Sequence, residues 1–154
     1  MKAWALHRAF DLYRWRWRIL RPVTLGVRML LVADRQVLLV RHTYQDGWHL
    51  PGGALNRGEM PQDAAVREAR EEAGAVLLEP PQLLGIYSSF DTGQSNHVLT
   101  YAGEAFRLET PTDRWEIAER DCFPVKQLPH DTTEGTRRRI REYLAGRGPY
   151  SGRW

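Results

Sequence analysis

Three glutamates in the middle of the chain have the residue type and the spacing of a cation-binding group. Glu68, Glu71 and Glu72 stand at positions i, i+3 and i+4, and on an α-helix residues at these spacings share one face. Like charges so close cost about 0.2–0.5 kcal/mol per pair in an isolated helix. A divalent cation such as Mg²⁺ would compensate them, because it takes oxygen ligands.

The same spacing also fits an ordinary solvated helix face. Arg67 lies four residues from both Asp63 and Glu71, so two helical ion pairs could balance the acidic charge. For a charge run judged on spacing alone, a solvated surface is the commoner explanation. The three glutamates by themselves therefore leave both alternatives open.

A longer pattern around the glutamates favours the chemical alternative. Residues 53–75 follow G-x5-E-x7-R-E-U-x-E-E-x-G-U, where U is apolar, and the fixed positions are Gly53, Glu59, Arg67, Glu68, Glu71, Glu72 and Gly74. Every fixed position matches, and the small apolar residues Ala69 and Ala75 fill the two U positions. This pattern is the Nudix box, and the chain resembles the Nudix hydrolases from about residue 24 to residue 144.

The resemblance implies a hydrolase of phosphoanhydride bonds that uses Mg²⁺, or Mn²⁺ in its place. Its substrate would be a nucleotide-derived small molecule, a nucleoside diphosphate linked to another moiety, cleaved by attack of water on phosphorus. The implied metal ligands are Glu68, Glu72, Glu71, Glu59 and the Gly53 carbonyl. The implied catalytic group is Glu71, Arg67 and Glu116, with Arg67 orienting a box glutamate through an ion pair and Glu116 as the first candidate for a general base. Glu119 and Glu104 are further candidates for the base.

Residues outside the box must recognise the substrate, and here the sequence is less specific. Base stacking needs an aromatic face and phosphate binding favours arginine. On this ground Arg41, Trp48 and Tyr87 are predicted to bind substrate, with Tyr44 and Phe90 as further candidates, although most aromatics at such spacing belong to a core. The alternative function is a catalytically silent Nudix-fold module that binds RNA or a protein partner. The complete box argues against that alternative.

The elements that must position these residues can be predicted from periodicity and turn residues. Residues 24–32 and 36–41 read as a β-hairpin, and 83–90, 97–106 and 115–125 read as further strands. A helix is predicted from Pro61 to Ala73, ending at Gly74, and another from Thr132 or Thr133 to Leu144. This order predicts an α+β or α/β sandwich with a mixed sheet. The resemblance implies the Nudix-type form of an α+β fold, an α/β/α sandwich with a mixed central β-sheet. The domain would span 23–146, with a loose C-terminal tail over 147–154.

The composition divides the chain into an acidic body with basic ends. Residues 1–21 and 135–154 each contain six basic side chains against one acidic side chain. Residues 1–22 are predicted to form a basic, aromatic helical extension with two apolar stripes at helical spacing. One stripe is Leu6, Phe10, Tyr13, Trp17 and Leu20, and the opposite one is Trp4, Trp15 and Ile19. Residues 15–19 also alternate in the manner of a strand. Such an extension could pack on the body, form a homodimer, or bind RNA or an anionic membrane surface.

Composition also excludes several classes of protein. No stretch of about 18 apolar residues is present, which excludes a transmembrane helix in this sequence. The single cysteine, Cys122, excludes an intrachain disulfide and favours a reducing, cytoplasmic location. The five histidines show no metal-ligand spacing, which argues against a zinc site.

Overall fold

The structure is a computed structural model that describes residues 23–90, 94–112 and 115–154. The predicted helical extension over 1–22 lies outside the described residues. The strands are β1 Val23–Ala33, β2 Gln36–His42, β3 Ala75–Leu77, β4 Gln82–Ser89, β5 Ser95–Gly103, β6 Phe106–Leu108, β7 Ile117–Pro124 and β8 Tyr150–Arg153. The helices are α1 Pro61–Ala73 and α2 Glu134–Ala145.

Six strands form one mixed sheet in the order β7-β2-β1-β5-β4-β8. β1 runs parallel to β5 and β4 runs parallel to β8, whereas the other neighbours are antiparallel. β3 and β6 form a separate two-stranded sheet. Each helix packs on a different apolar cluster of the main sheet, so the predicted α/β/α sandwich is confirmed. Neither helix of the described ranges is long and apolar enough to cross a membrane.

The centre of the sheet is apolar on both faces because a helix lies on each. Along β1, Met29 and Leu31 belong to the cluster under α1, and the alternating residues Leu30 and Val32 belong to the cluster under α2. Successive side chains of a strand point to opposite faces. A continuous apolar run is therefore expected wherever both faces are covered.

The C-terminal tail is not loose, so that prediction was wrong. Residues 150–153 form β8, which pairs in parallel with β4, and the Trp154 amide donates a hydrogen bond to the Ser88 carbonyl. The Trp154 ring packs against Gly135, where an added Cβ would lie only 2.4 Å from the indole nitrogen. The tail is ordered because it satisfies the backbone groups along β4 that would otherwise remain unpaired.

The predicted hairpin is confirmed, and its turn contains a conformational strain. Ala33 pairs with Gln36, which leaves a two-residue loop, and both loop residues have positive φ, 50° for Asp34 and 61° for Arg35. Two-residue hairpin loops of this kind favour Asn-Gly or Asp-Gly. A non-glycine residue is disfavoured in the left-handed region because its Cβ approaches the following carbonyl oxygen.

Replacing Arg35 with glycine should therefore stabilise the protein. We expect Arg35→Gly to raise the free energy of unfolding by about 0.5–1 kcal/mol, since the relieved strain exceeds the added entropy of the unfolded chain. Urea denaturation measures the change. Arg35→Lys keeps the same backbone demand and should leave the free energy of unfolding unchanged. An equal gain in both variants would attribute the effect to the side chain and not to the turn.

Candidate active site

Helix α1 carries the box glutamates and is fixed at both ends and underneath. Pro61 occupies the first turn, and Gly74 ends the helix in a left-handed conformation with φ of 62°. There the Gly74 amide donates to the carbonyls of the last turn. The Arg120 guanidinium, from β7, donates to the Ala73 carbonyl. The partly buried Val66 packs the helix on the sheet together with four fully buried alanines: Ala64, Ala65, Ala69 and Ala73. Side chains this small let the helix lie close to the strands.

Glu72 is buried where the helix meets the loop after β2. Its Oε2 accepts a hydrogen bond of 2.8 Å from the Gly52 amide, and the residue is only 4% exposed. Burial, and to a lesser degree the carboxylates of Glu68 and Glu116, raises the pKa of Glu72 to about 7, although the Gly52 amide and Arg28 act in the opposite direction. Near neutral pH this carboxyl group is therefore close to the midpoint of its ionisation, and the His42 ring lies 3.9 Å from its Oε1.

Glu68 lies one turn earlier and faces Gly53. An added Cβ at Gly53 would lie 2.6 Å from Glu68 Oε1, so a side chain there would collide with the carboxylate. Gly52 has φ of 151°, and its added Cβ would lie 2.1 Å from the Val27 carbonyl oxygen. The glycine pair therefore lets the loop backbone approach both the helix carboxylates and β1. Burial also raises the pKa of Glu68.

Arg67 holds the remaining carboxylates together. Its guanidinium donates to Glu59 through Nε at 2.8 Å and Nη2 at 3.0 Å. Its Nη1 donates to Glu68 at 2.8 Å and to Glu71 at 3.0 Å. Hydrogen bonds from Arg67 hold the pKa of Glu59 down to about 2, and those carboxylates raise the pKa of Arg67 in turn. Arg67 is thus a positioning residue within the carboxylate cluster.

A second arginine, Arg28 of β1, fixes the loop that faces Glu72. Its Nη1 donates to the Gly52 carbonyl at 2.7 Å and to the Leu50 carbonyl at 3.2 Å. Burial lowers the pKa of Arg28, whereas the charges of Glu72 and Glu68 oppose that change. Arg28 therefore orients the same peptide segment whose amide holds Glu72.

Glu116 reaches this region through backbone pairing between two loops. The Thr43 amide donates to the Glu116 carbonyl at 2.8 Å, and the Tyr44 hydroxyl lies 3.5 Å from Glu116 Oε2. The Glu116 carboxylate is close enough to influence the pKa of Glu72. The other two candidates for the base lie elsewhere: Glu119 pairs with Arg41 and Glu104 accepts a hydrogen bond from Tyr143.

The three predicted substrate contacts do not gather at the carboxylates. Arg41 forms an ion pair of 2.6 Å with Asp131 and lies 4.8 Å from the centre of the Trp48 ring. Trp48 itself is buried in the cluster under α2. The sequence could not distinguish this buried ring from one at the rim, since both follow the same pattern of apolar residues.

Tyr87 is the clearest departure from the predicted site. It is buried on the α2 side of the sheet, where its hydroxyl donates to Glu142 at 2.6 Å and the Arg139 guanidinium lies 3.5 Å from its ring centre. Its side chain therefore completes a core contact with α2 and is not available to a substrate at α1.

Comparison with known proteins identifies the family. A family model described as the NUDIX domain matches residues 21–144. Nudix hydrolase YvcI of Bacillus subtilis is 34% identical over 114 residues, which cover 69% of this chain and 71% of that protein. The chain belongs to the Nudix hydrolase family. It is therefore a hydrolase that acts on pyrophosphate bonds.

Solved Nudix structures and other relatives agree with this assignment. A MutT Nudix hydrolase from Burkholderia pseudomallei superposes with a TM-score of 0.70 at 25% identity, covering 79% of this chain and 98% of that one. An ADP-ribose pyrophosphatase of Methanocaldococcus jannaschii is 31% identical over 88 residues, 55% of this chain and 52% of that protein. An RNA pyrophosphohydrolase of Xanthomonas campestris is 44% identical over 57 residues, 37% of this chain and 27% of that protein. The matched part of this chain thus spans about half of the ADP-ribose pyrophosphatase and about a quarter of the RNA pyrophosphohydrolase.

The donor set of the Nudix box suits a divalent metal that keeps part of its water shell. Within the described ranges, no three acidic, histidine or cysteine side chains already converge as a closed metal cage. Glu68 and Glu72 nevertheless present carboxylate oxygens whose ionised forms are destabilised by burial. Mg²⁺ is typically bound by one or two carboxylates together with waters and substrate phosphates. A pair of carboxylates, one buried and one half-buried, beside the loop backbone fits such an ion.

Two predicted ligands of the Nudix box have other partners in this structure. Both Glu59 oxygens bind Arg67, and the Gly53 carbonyl accepts the Val27 amide at 2.9 Å. Their roles as metal ligands stay predictions. Sequence reasoning missed Arg28, because an arginine within an apolar strand gives no local signal of the loop that it contacts.

The raised pKa of Glu72 predicts how stability depends on pH when divalent metal is removed. Its folded value of about 7 exceeds the ordinary value of 4.5, so its stabilising contribution is complete below about pH 4.5 and is lost as pH rises through 7. The wild type should therefore lose stability between pH 4.5 and pH 8 that Glu72→Gln keeps. We expect the free energy of unfolding of Glu72→Gln, measured relative to the wild type, to increase by up to about 3 kcal/mol over this pH range.

Denaturant unfolding in EDTA at the two pH values measures this difference. Glu79→Gln changes an exposed glutamate outside the Nudix box and should follow the wild type at both pH values. The interpretation is wrong if the wild type and Glu72→Gln differ by the same amount at pH 4.5 and at pH 8.

Proposed function

We propose that this Nudix hydrolase is a Mg²⁺-dependent pyrophosphohydrolase that cleaves a nucleoside diphosphate linked to another moiety. Mn²⁺ would substitute for Mg²⁺. The observation that carries the proposal is the placement of Glu68 and Glu72 on one face of α1, against the backbone of Gly52 and Gly53. A buried carboxylate and a half-buried one beside this loop backbone form a place for a cation and the phosphates that it binds.

The protein groups divide the work of holding that cation site. Glu68 and Glu72 would provide the principal oxygen ligands, with Glu71 beside them, and Arg67 orients Glu68 and Glu71 through its ion pairs. When bound, the metal would neutralise the diphosphate oxygens, lower the pKa of a water molecule and align its attack on phosphorus. Arg28 keeps the facing loop in place.

Glu116 is the proposed general base. It is the one of the three candidates that the loop pairing brings to the side of Glu72, next to Tyr44. A carboxylate there could accept the proton of the attacking water as the phosphorus–oxygen bond forms. The bond between the attacked phosphorus and the bridging oxygen would break, and the bridging oxygen would leave with the second phosphoryl group.

The substrate is best found by comparing pyrophosphate compounds of different size. The relatives named ADP-ribose pyrophosphatase and RNA pyrophosphohydrolase suggest two ends of this range. Hydrolysis of ADP-ribose, nucleotide sugars, dinucleoside polyphosphates, nucleoside triphosphates and 5′-triphosphate RNA should be measured with Mg²⁺ and with Mn²⁺. The preferred compound is the one with the highest kcat/KM.

Removing the charge of Glu72 tests the metal-dependent chemistry. On the preferred substrate we expect Glu72→Gln to lower kcat at least 100-fold, because a carboxamide is a poorer metal ligand, and to raise the concentration of Mg²⁺ needed for half-maximal rate. Glu79→Gln should retain full activity. Unchanged turnover in Glu72→Gln would contradict the proposal. Absence of turnover of every compound by the wild type would favour the silent binding module.

Tyr44 is the aromatic residue best placed to contact the substrate. Its ring is 66% exposed, its hydroxyl faces Glu116, and it lies within electrostatic range of Glu72 and Arg28. A nucleobase bound beside the metal site could stack on this ring. Tyr44 was a further candidate in the sequence, and its position supports it over Trp48 and Tyr87.

Tyr44→Ala should weaken binding of substrates that contain a base. Loss of a stacking contact worth about 1–3 kcal/mol predicts a rise in KM of roughly ten-fold, with little change in kcat, whereas Tyr44→Phe should keep the wild-type KM. A base-free pyrophosphate, phosphoribosyl pyrophosphate, serves as the matched control substrate. A similar rise in KM for that compound would show that Tyr44 does not bind the base.

A further inference from the structure

The sheet face that carries α1 is covered over only part of its width. The helix packs on β1, β2 and β5. Beyond it, around β4 and the beginning of β1, large apolar side chains are exposed. We call this region the open face; its members and their exposed fractions are Val23 (74%), Leu25 (44%), Leu83 (39%), Ile86 (45%) and Phe90 (51%).

Strand register places these residues on one side of the sheet. Ile86 pairs with Leu99 and Leu83 pairs with Tyr101, and both partners pack into the cluster under α1. Directly paired residues of neighbouring strands project to the same face. Leu83 and Ile86 therefore belong to the α1 side.

The beginning of β1 extends the same surface. Leu25 is two residues before Val27, a member of the cluster under α1, so Leu25 and Val23 point to that side as well. Leu25 pairs with His97, and the Phe90 ring lies 6.4 Å from the His97 ring. The open face is thus continuous from β1 across β5 to β4.

A continuous exposed apolar surface of this kind marks an interaction site more often than chance exposure does. We propose that residues 1–21 of the same chain pack on the open face. Val23 is both a member of the open face and the first described residue, so only Pro22 separates the segment from the surface. A tether this short gives the segment a high effective concentration at the surface.

The composition of the segment fits this surface. Its predicted helical stripe consists of Leu6, Phe10, Tyr13, Trp17 and Leu20. Fifteen residues at the helical rise would extend about 22 Å, whereas the distance from β1 to β4, two strand spacings, is about 10 Å. The stripe is therefore long enough to cross the open face. On such a helix Arg8 and Arg18 would lie on the side away from that face, together with Trp4, Trp15 and Ile19, and Arg14 and Arg16 would lie at the flanks of the stripe.

Limited trypsin digestion of the full chain tests the proposal, because trypsin cuts after Arg14, Arg16 and Arg18. We expect Ile86→Lys and Leu25→Lys to accelerate cleavage at these three sites at least ten-fold, since a lysine on the open face would displace the segment. Leu108→Lys is the matched control, an exposed leucine of β6 outside the open face. It should cleave at the wild-type rate. Mass spectrometry separates these sites from cleavage at the new lysine.

Equal cleavage of the wild type and Ile86→Lys would overturn the proposal. A second measurement does not depend on the lysine variants: a nitroxide attached to Ile86→Cys in a Cys122→Ser chain should broaden the amide signals of residues 6–20. Absence of broadening would also overturn it. Light scattering identifies the competing occupant, because a wild-type dimer that becomes a monomer in Ile86→Lys would show that a second copy covers the open face.

Discussion

Mutual repulsion of the box carboxylates is the constraint on which the site depends. Glu68, Glu71 and Glu72 occupy less than two turns of α1, and Glu59 approaches from the preceding loop. Arg67 compensates three of these charges at once. Glu72 is outside its reach and is held by a neutral amide, that of Gly52. The result is an uneven distribution of charge, with outer carboxylates paired with Arg67 and an inner carboxylate whose ionised form is disfavoured by burial.

Small residues at the contacts between the helix, the loop and the sheet support this distribution of charge. The alanines under α1 bring its axis near the strands, and two glycines bring the loop backbone near the helix. Arg28 then connects that loop to β1. The apolar layer between this helix and the sheet is therefore formed mainly by strand side chains such as Met29 and Leu31. Larger side chains at the alanine positions would move Glu72 away from the Gly52 amide.

A feature could be predicted from the sequence when the residues that form it are close together in the chain, and not when they are far apart. The bounds of α1 and the carboxylate cluster follow from short-range spacing, and both were predicted correctly. The places of Tyr44 and Glu116 depend on two loops 72 residues apart, and no local pattern specifies that they meet. Trp48 and Tyr87 were selected because buried and exposed aromatics look alike in sequence. Strand β8 has four residues, and its order comes from the backbone of β4, which its own sequence does not reveal.

The parallel pairing of β1 with β5 has a consequence for how the protein reaches its folded state. Thr24 and Asn96, 72 residues apart in sequence, meet across this pair, and the whole of α1 lies in the intervening loop. Contacts at such separation form slowly, because the chain loses the entropy of loop closure before the stabilising contacts are made. The hairpin and the helix can form early from local contacts. The surroundings of Glu72 are complete only when the segment before β7 brings in Glu116, so catalytic competence should be among the last properties to appear during folding.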